Sequence, residues 1–259
     1  MLRLMGVFFR ISVLNELAYR SNFWIQAIQS VVGLGTALLG LAVVFHHTDD
    51  LAGWRSNELL ALVGIYTLMS GVIGMGIQPS LERFVSEVQA GTLDFTLTKP
   101  ADAQLLVSIQ ELQIWKLIDL ALGVGLIWVA LARQGLELSF PQACEFGVAL
   151  LAGGAIVYSF WLLLATTVFW FVRVDNILAI FQGMYMAGRW PVTIYPPWLR
   201  WMLTFLVPVA FAVTVPAEAL VGRLERSTLW GAVGLALALL IVSRLFWKLG
   251  VRRYAGASA

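Results

Sequence analysis

The chain has 259 residues, of which 60% are hydrophobic and only 12% charged, against roughly 45–50% apolar and about 25% charged in a soluble domain. That is too little polarity to cover a watery surface and too much hydrophobicity for a disordered chain. The net charge of +2 leaves no electrostatic footprint for nucleic acid, and the single cysteine, Cys144, excludes an internal disulfide or a multi-cysteine metal site.

A bilayer core of about 30 Å needs about 20 mostly apolar residues per helix. Arg3 and Arg10 interrupt the early apolar run, so no cleavable signal peptide is expected. The first span is expected over Phe23–Phe45, with Gln26, Gln29 and Ser30 as polar interruptions and His46-His47 at its end. Leu59–Ile77 is the second, and its glycines (Gly64, Gly71, Gly74, Gly76) point to close helix packing. Leu117–Ala132 is too short for a third span alone, so that helix must begin earlier and take in Trp115, Lys116 and Asp119. Phe146–Phe171 is the fourth.

Beyond this the pattern fragments. Ile177–Trp190 is apolar but short and stops at Pro191; Pro196-Pro197 follows. Leu199–Val215 is interrupted by Pro208 and closed by Pro216, and Leu229–Trp247 is the last long run. Either both short stretches cross, giving seven spans, or the second folds back, giving six. Both chain ends are basic, with Arg3, Arg10 and Arg20 at one and Arg244, Lys248, Arg252 and Arg253 at the other. The positive-inside rule then puts both in the cytoplasm and requires an even number of crossings. The expected fold is all-α: one transmembrane domain over residues 1–259, with six spans, a re-entrant hairpin between spans five and six, and cytoplasmic termini. Proline-broken backbone at membrane depth needs protein or water around it, so residues 191–216 are expected to pack into the outer mouth. Trp54, Trp190, Tyr195, Trp198 and Trp201 are expected at the outer interface, and Trp247 and Tyr254 at the inner one.

The cytoplasmic stretch over residues 79–102 is the one long polar interruption. Pro79 suits a first helical turn, Leu81, Phe84, Val85 and Val88 share an apolar face, and Gly91 is a natural stop. A short amphipathic helix at the membrane surface follows; spacing alone leaves open whether it only anchors the loop in the headgroups or carries a contact.

Glu87-x3-Gly91-Thr92-Leu93-Asp94-x2-Leu97-x-Lys99-Pro100 resembles the cytoplasmic signature of six-span permeases of type-2 ATP-binding-cassette (ABC) transporters. Arg189-Trp190-Pro191 with Ile194-Tyr195, Pro208-x-Ala210-Phe211 with Pro216-Ala217, and Gly250-x-Arg252-Arg253-Tyr254 followed by Ala257-Ser258 are similar to further motifs of that family, in the same order. The resemblance implies an exporter subunit in a bacterial cytoplasmic (inner) membrane. It would pair with an identical or homologous permease and dock a separate nucleotide-binding ATPase that carries ATP and Mg. It also implies an amphipathic helix over residues 1–22 along the inner surface. Docking would use Leu81, Phe84 and Val85 as apolar anchors, Glu82 and Glu87 at their rim, and the turn at Gly91, Leu93 and Asp94. The route would run near spans one, two and five, with Gln26, Gln29, Phe181 and Tyr185 along it. Pro191, Tyr195, Pro208, Phe211, Pro216 and Glu218 would form the outer re-entrant gate.

The residues supply a check. A P-loop needs Gly-x4-Gly-Lys-Ser/Thr to hold phosphates, and none of Lys99, Lys116 and Lys248 follows a glycine. No cofactor is therefore expected on this chain, and any ATP hydrolysis belongs to a partner. Lys116 and Asp119, at i and i+3, form an ion pair near the inner boundary; intramembrane charges are functional candidates by default, but Lys116 can snorkel and the structural role is favoured. Gln26 and Gln29 share a helix face and either hydrogen-bond across helices or line a route. The alternatives are a secondary transporter or channel acting without an ATPase, for which Asp119 lies too near one end, and an intramembrane enzyme, for which no His-Glu-x-x-His and no histidine-based triad is present.

Overall fold

The computed structural model describes residues 20–135, 138–171 and 175–254. The amphipathic helix expected over residues 1–22 lies outside the described residues except for Arg20–Asn22, as does the Ala257-Ser258 motif. Eleven α-helices follow in chain order: α1 Arg20–His47, α2 Ser56–Val72, α3 Gln78–Gln89, α4 Asp94–Leu97, α5 Ala103–Ile109, α6 Leu117–Gln134, α7 Phe140–Thr166, α8 Asp175–Tyr185, α9 Pro197–Trp201, α10 Val215–Leu220 and α11 Arg226–Arg253. Among the described residues, five helical stretches are long and apolar enough to cross a membrane: Asn22–His47, Ser56–Gln89, Ile114–Gln134, Phe140–Phe169 and Arg226–Arg253. A bent pair, Pro197–Leu206 with Ala210–Leu220, raises the number to six if it counts as one span. The expected fifth crossing is the short one: α8 has 11 residues and its 3₁₀ extension Met186–Arg189 has 4, together roughly 25 Å long.

The amphipathic segment expected to start afresh at Pro79 is instead an unbroken continuation of the second span. Ser56–Gln89 runs for 34 residues, roughly 50 Å, about 20 Å more than the hydrocarbon core needs. Pro79 lacks an amide hydrogen, which in an unbroken α-helix would orphan the carbonyl four residues back. Two features accommodate it. The turn before it, Ile73–Ile77, widens to a π-helix, and the carbonyl of Met75 accepts the amide of Gln113 at 2.8 Å.

Helices α2 and α6 cross on glycines, as their density suggested. A Cβ on Gly123 would lie 2.6 Å from the Leu68 backbone nitrogen and 2.8 Å from the Gly64 carbonyl, and one on Gly64 would lie 2.9 Å from Ile127. Gly123→Ala therefore forces two backbones apart, and overpacking of this kind costs about 1–3 kcal/mol. We expect the purified variant to melt several degrees below the parent in detergent, whereas Gly125→Ala, which meets nothing within 4 Å, leaves the melting point unchanged.

Two of the expected interface tryptophans belong to the core instead. Trp54 is 3% exposed and donates its indole N–H to Thr193 Oγ1 at 3.2 Å. It is held by a tight turn in which Ala52 and Gly53 both take positive φ and Leu51 and Trp54 exchange backbone hydrogen bonds. Trp247, also 3% exposed, packs on Phe84. Trp198 and Trp201 are exposed, as an interfacial belt requires.

Candidate functional site

A cleft of about 380 Å³ opens between α1, α2, the start of α6, α7 and α8. Its wall includes Gln29 and Ser30 from α1, Tyr66, Thr67 and Ser70 from α2, and Gly74 and Gln78 from the π-turn and the head of α3. Trp115, Lys116 and Asp119 close one end, Trp161 forms the back, and Gln182, Tyr185, Met186 and Arg189 complete the side from α8 and its extension. From Val63 on α2, through the π-turn, to Gln78 at the head of α3 the lining follows one continuous helical path of 16 residues, roughly 22 Å long.

The charges in this cleft are arranged unequally. Lys116 Nζ lies 2.7 Å from Asp119 Oδ2 and 4.2 Å above the Trp115 ring, so the expected i,i+3 pair forms and is neutral as a unit. Its stem lies against bare backbone, because a Cβ on Gly74 would sit 2.7 Å from Lys116 Cε. Arg189 makes no ion pair among the described residues. Its guanidinium lies 5.5 Å from the Tyr66 ring centre, and Tyr66 in turn stacks on Tyr185 at 5.5 Å with the rings 22° apart. Among the described residues the buried Trp161 Nε1 of the wall has no hydrogen-bond partner, while the buried Ser70 Oγ and Tyr185 Oη interact with each other.

Of the residues expected along a route, Gln29 and Tyr185 line the cleft and Gln26 does not. Phe181 is 3% exposed and lies behind the wall, edge-on to Trp161 at 5.2 Å. Sequence reasoning missed Tyr66, Ser70, Trp161 and Arg189. Arg189 was visible as a charge beside a proline-broken segment; Trp161 sits inside a continuous apolar run and carries no signal there.

The loop over residues 79–102 departs most from expectation. Leu81, Phe84, Val85 and Leu93 are all 0% exposed, so they do not offer an apolar face to another protein. Phe84 packs against Trp247 of α11 at 4.9 Å and Phe169 beyond α7 at 5.6 Å. The amphipathic spacing identified the buried face correctly and its counterpart wrongly, since that face closes on the chain's own spans. Ser80, also fully buried, donates to the Glu111 carbonyl at 2.8 Å and accepts the Glu111 amide at 3.1 Å. Glu82 and Arg83 remain exposed, with Glu82 accepting from Gln78 at 2.8 Å and Arg83 paired to Glu87 at 3.1 Å. Gly91 takes φ 68° where α3 stops. Asp94 opens α4 half-buried, and its neighbour Phe95 projects with 75% exposure.

A polar latch ties this loop to the bundle. Asp102 caps α5 by accepting the Leu105 amide at 3.2 Å, and both its oxygens accept from the Arg244 guanidinium on α11. Arg244 also donates to Gln104 Oε1 at 2.8 Å, and Gln104 donates to the Tyr158 hydroxyl of α7 at 3.3 Å. The Arg244 hydrogen bond holds the Asp102 carboxyl below its ordinary range. A lowered folded pKa means stability that is present above the unfolded value of about 3.9 and lost as pH falls through the folded one. We expect the melting-point difference between the parent and Asp102→Asn to stay constant from about pH 8 to 5 and to shrink below about pH 4. A difference that varied across the neutral range would assign the effect to another group.

The segment beyond α8 is a broken pair of arms meeting at 80°. The second arm packs into the bundle: Pro208, Pro216 and Ala212 are buried, Phe211 is half-buried, and its carbonyl lies against Gly153 of α7 closely enough to forbid a Cβ there. The first arm differs from the expectation of full packing, because Trp198, Trp201, Phe205 and Leu206 all face outward. Pro191 is buried, and Tyr195 donates its hydroxyl to the Ala187 carbonyl at 2.9 Å. Glu218 lines a more open hollow of about 430 Å³ with Trp54, Arg223 and Glu225.

A helical span longer than a bilayer core, a proline-broken bent pair and an aromatic cleft between the first, second and fifth apolar segments are the features of a multi-pass membrane protein. Residues 31–258 match the family model described as ABC-2 family transporter protein, and the chain belongs to that family. No curated protein matches the chain at the significance required.

Proposed function

We propose that this chain is the membrane-spanning permease of an ATP-driven exporter, acting as a dimer of permeases and powered by separate ATPase subunits on the cytoplasmic side. The observation that carries the reading is the unbroken Ser56–Gln89 helix. Its inner third projects beyond the bilayer and is welded to the last span by Phe84–Trp247 packing and to the return segment by Ser80. Force applied at that end reaches α2, α7 and α11 as a rigid-body movement, and α2 carries much of the cleft wall.

Other features support the finer points. The basic residues Arg83, Arg244, Lys248, Arg252 and Arg253 lie on the lever and on the last span that packs against it, and under the positive-inside rule this supports a cytoplasmic position for the lever; the membrane we propose is the bacterial inner membrane. Only 6% of the most apolar window of α1 is buried within the chain, leaving that helix a face for a second copy. The surface presented to the ATPase is polar at Glu82, Arg83 and Glu87 and apolar at Phe95, with Asp94 and Gly91 shaping the turn that displays it.

Affinity purification of the tagged permease from its native host tests the reading. A Walker-type ATPase should co-purify, and flux in vesicles should require ATP. Ion-gradient-driven flux by the isolated chain would instead establish a secondary transporter.

A further inference from the structure

We propose that the cleft binds an amphipathic anion: a flat apolar body bearing one carboxylate, sulfonate or phosphate group and an oxygen acceptor close to the ring system. As the identity of a cargo this rests on the permease reading; as a binding property it stands alone.

Charge sets the first requirement. Asp119 is the carboxylate of the wall and is already paired with Lys116 at 2.7 Å. A cationic ligand would find no free counter-charge there. Arg189 lines the same cleft without an ion pair among the described residues. A guanidinium at the rim of a low-dielectric cleft attracts an anion and can clamp it with parallel N–H donors.

The rings set the second. Arg189, Tyr66 and Tyr185 form a column of cation, ring and ring, and Leu34, Val63 and Ile73 line the cleft beside it. A planar body can lie along this wall while its charged group stays at Arg189. The volume falls within the range of pockets that hold drug-sized molecules, roughly 300–1,000 Å³.

An unmet hydrogen bond sets the third. Trp161 is 1% exposed, and its indole nitrogen is buried without a partner. An indole N–H only donates, so a hydrocarbon ligand leaves it unsatisfied and an oxygen acceptor satisfies it. The Ser70 and Tyr185 hydroxyls, buried in the same wall and interacting with each other, are donors and acceptors beside it.

The test uses the full chain in nanodiscs of neutral lipid with matched pyrene probes, read by energy transfer from tryptophan. Pyrenebutyrate should bind saturably and at least about tenfold more tightly than pyrenebutanol, the difference expected of a charge-assisted contact. Arg189→Gln should remove that preference while leaving pyrenebutanol binding unchanged, and Arg189→Lys should keep most of it. 4-Oxo-4-(1-pyrenyl)butyrate should bind about fivefold better than pyrenebutyrate to the parent chain and lose that advantage in Trp161→Phe. Equal binding of acid and alcohol by the parent chain overturns the anion assignment whatever the variants do. A ketone without advantage on the parent chain overturns the acceptor assignment. Because these readouts need no ATPase, head-group preference without a co-purifying ATPase removes only the permease reading. A co-purifying ATPase without head-group preference removes only this one.

Discussion

Phe84→Ala should cost the folded chain about 3–5 kcal/mol, the range for deleting a buried aromatic ring, and thereby disconnect the inner lever from the last span. Phe84 is 0% exposed and sits between Trp247 at 4.9 Å and Phe169 at 5.6 Å. Those rings belong to α11 and to the end of the fourth span, so the cavity left by truncation has two walls that come from distant parts of the sequence. Each wall is fixed by its own helix, which limits collapse and places the loss toward the upper part of the range. Thermal unfolding of the detergent-purified variant measures it, and limited proteolysis near Gln89–Asp102 should become faster as the lever loosens. Glu82→Ala is the control: its carboxylate is exposed and bonded to Gln78 of its own helix, and surface changes of this kind stay within about 0.5 kcal/mol. A Phe84→Ala chain that melts with the parent would mean that this aromatic cluster is not what holds the lever.

The same residue shows how much could be read in advance. Helical spacing picks out Leu81, Phe84 and Val85 as one apolar face, and that face is buried. Spacing carries no record of what covers it, however, and Trp247 lies more than 160 positions along the chain. Trp54 and Trp247 illustrate the same limit from the other side. A tryptophan near a span end is equally compatible with lipid headgroups and with core, and only the Thr193 hydroxyl and the Phe84 ring decide between them. Continuity through Pro79 was hidden because the compensating donor, the Gln113 amide, comes from the returning chain. In the cleft, Gln29, Lys116 and Asp119 were legible because polar residues stand out in an apolar run. Tyr185 was placed there through the family resemblance, whereas Trp161 matters through the absence of a partner among the described residues, which no sequence displays.

With Phe84 committed to the interior, the inner surface has a different candidate for a partner's pocket, and Phe95→Ala is expected to lower ATPase co-purification about thirtyfold without changing the melting point. Phe95 is 75% exposed while its neighbours Leu93 and Thr96 are buried at 0% and 5%. The turn of α4 is thus anchored on one face and projects an aromatic side chain from the other. An aromatic seated in a partner's pocket is the kind of residue that dominates an interface, with truncation costing 2 kcal/mol or more, about thirtyfold in affinity. Glu82 and Arg83 would lie at the rim, where a charge contributes more to association rate than to affinity. Glu82→Ala should therefore leave the amount of ATPase bound at saturation unchanged, and the complex formed by Phe95→Ala should dissociate faster than the parent complex. Leucine at position 95 should restore much of the binding, since it refills an apolar pocket, whereas aspartate should not. Full recovery of the ATPase by Phe95→Asp would place the contact elsewhere on the lever, and the exposed residues Glu82, Arg83 and Ser86 would then be the surface to mutate next.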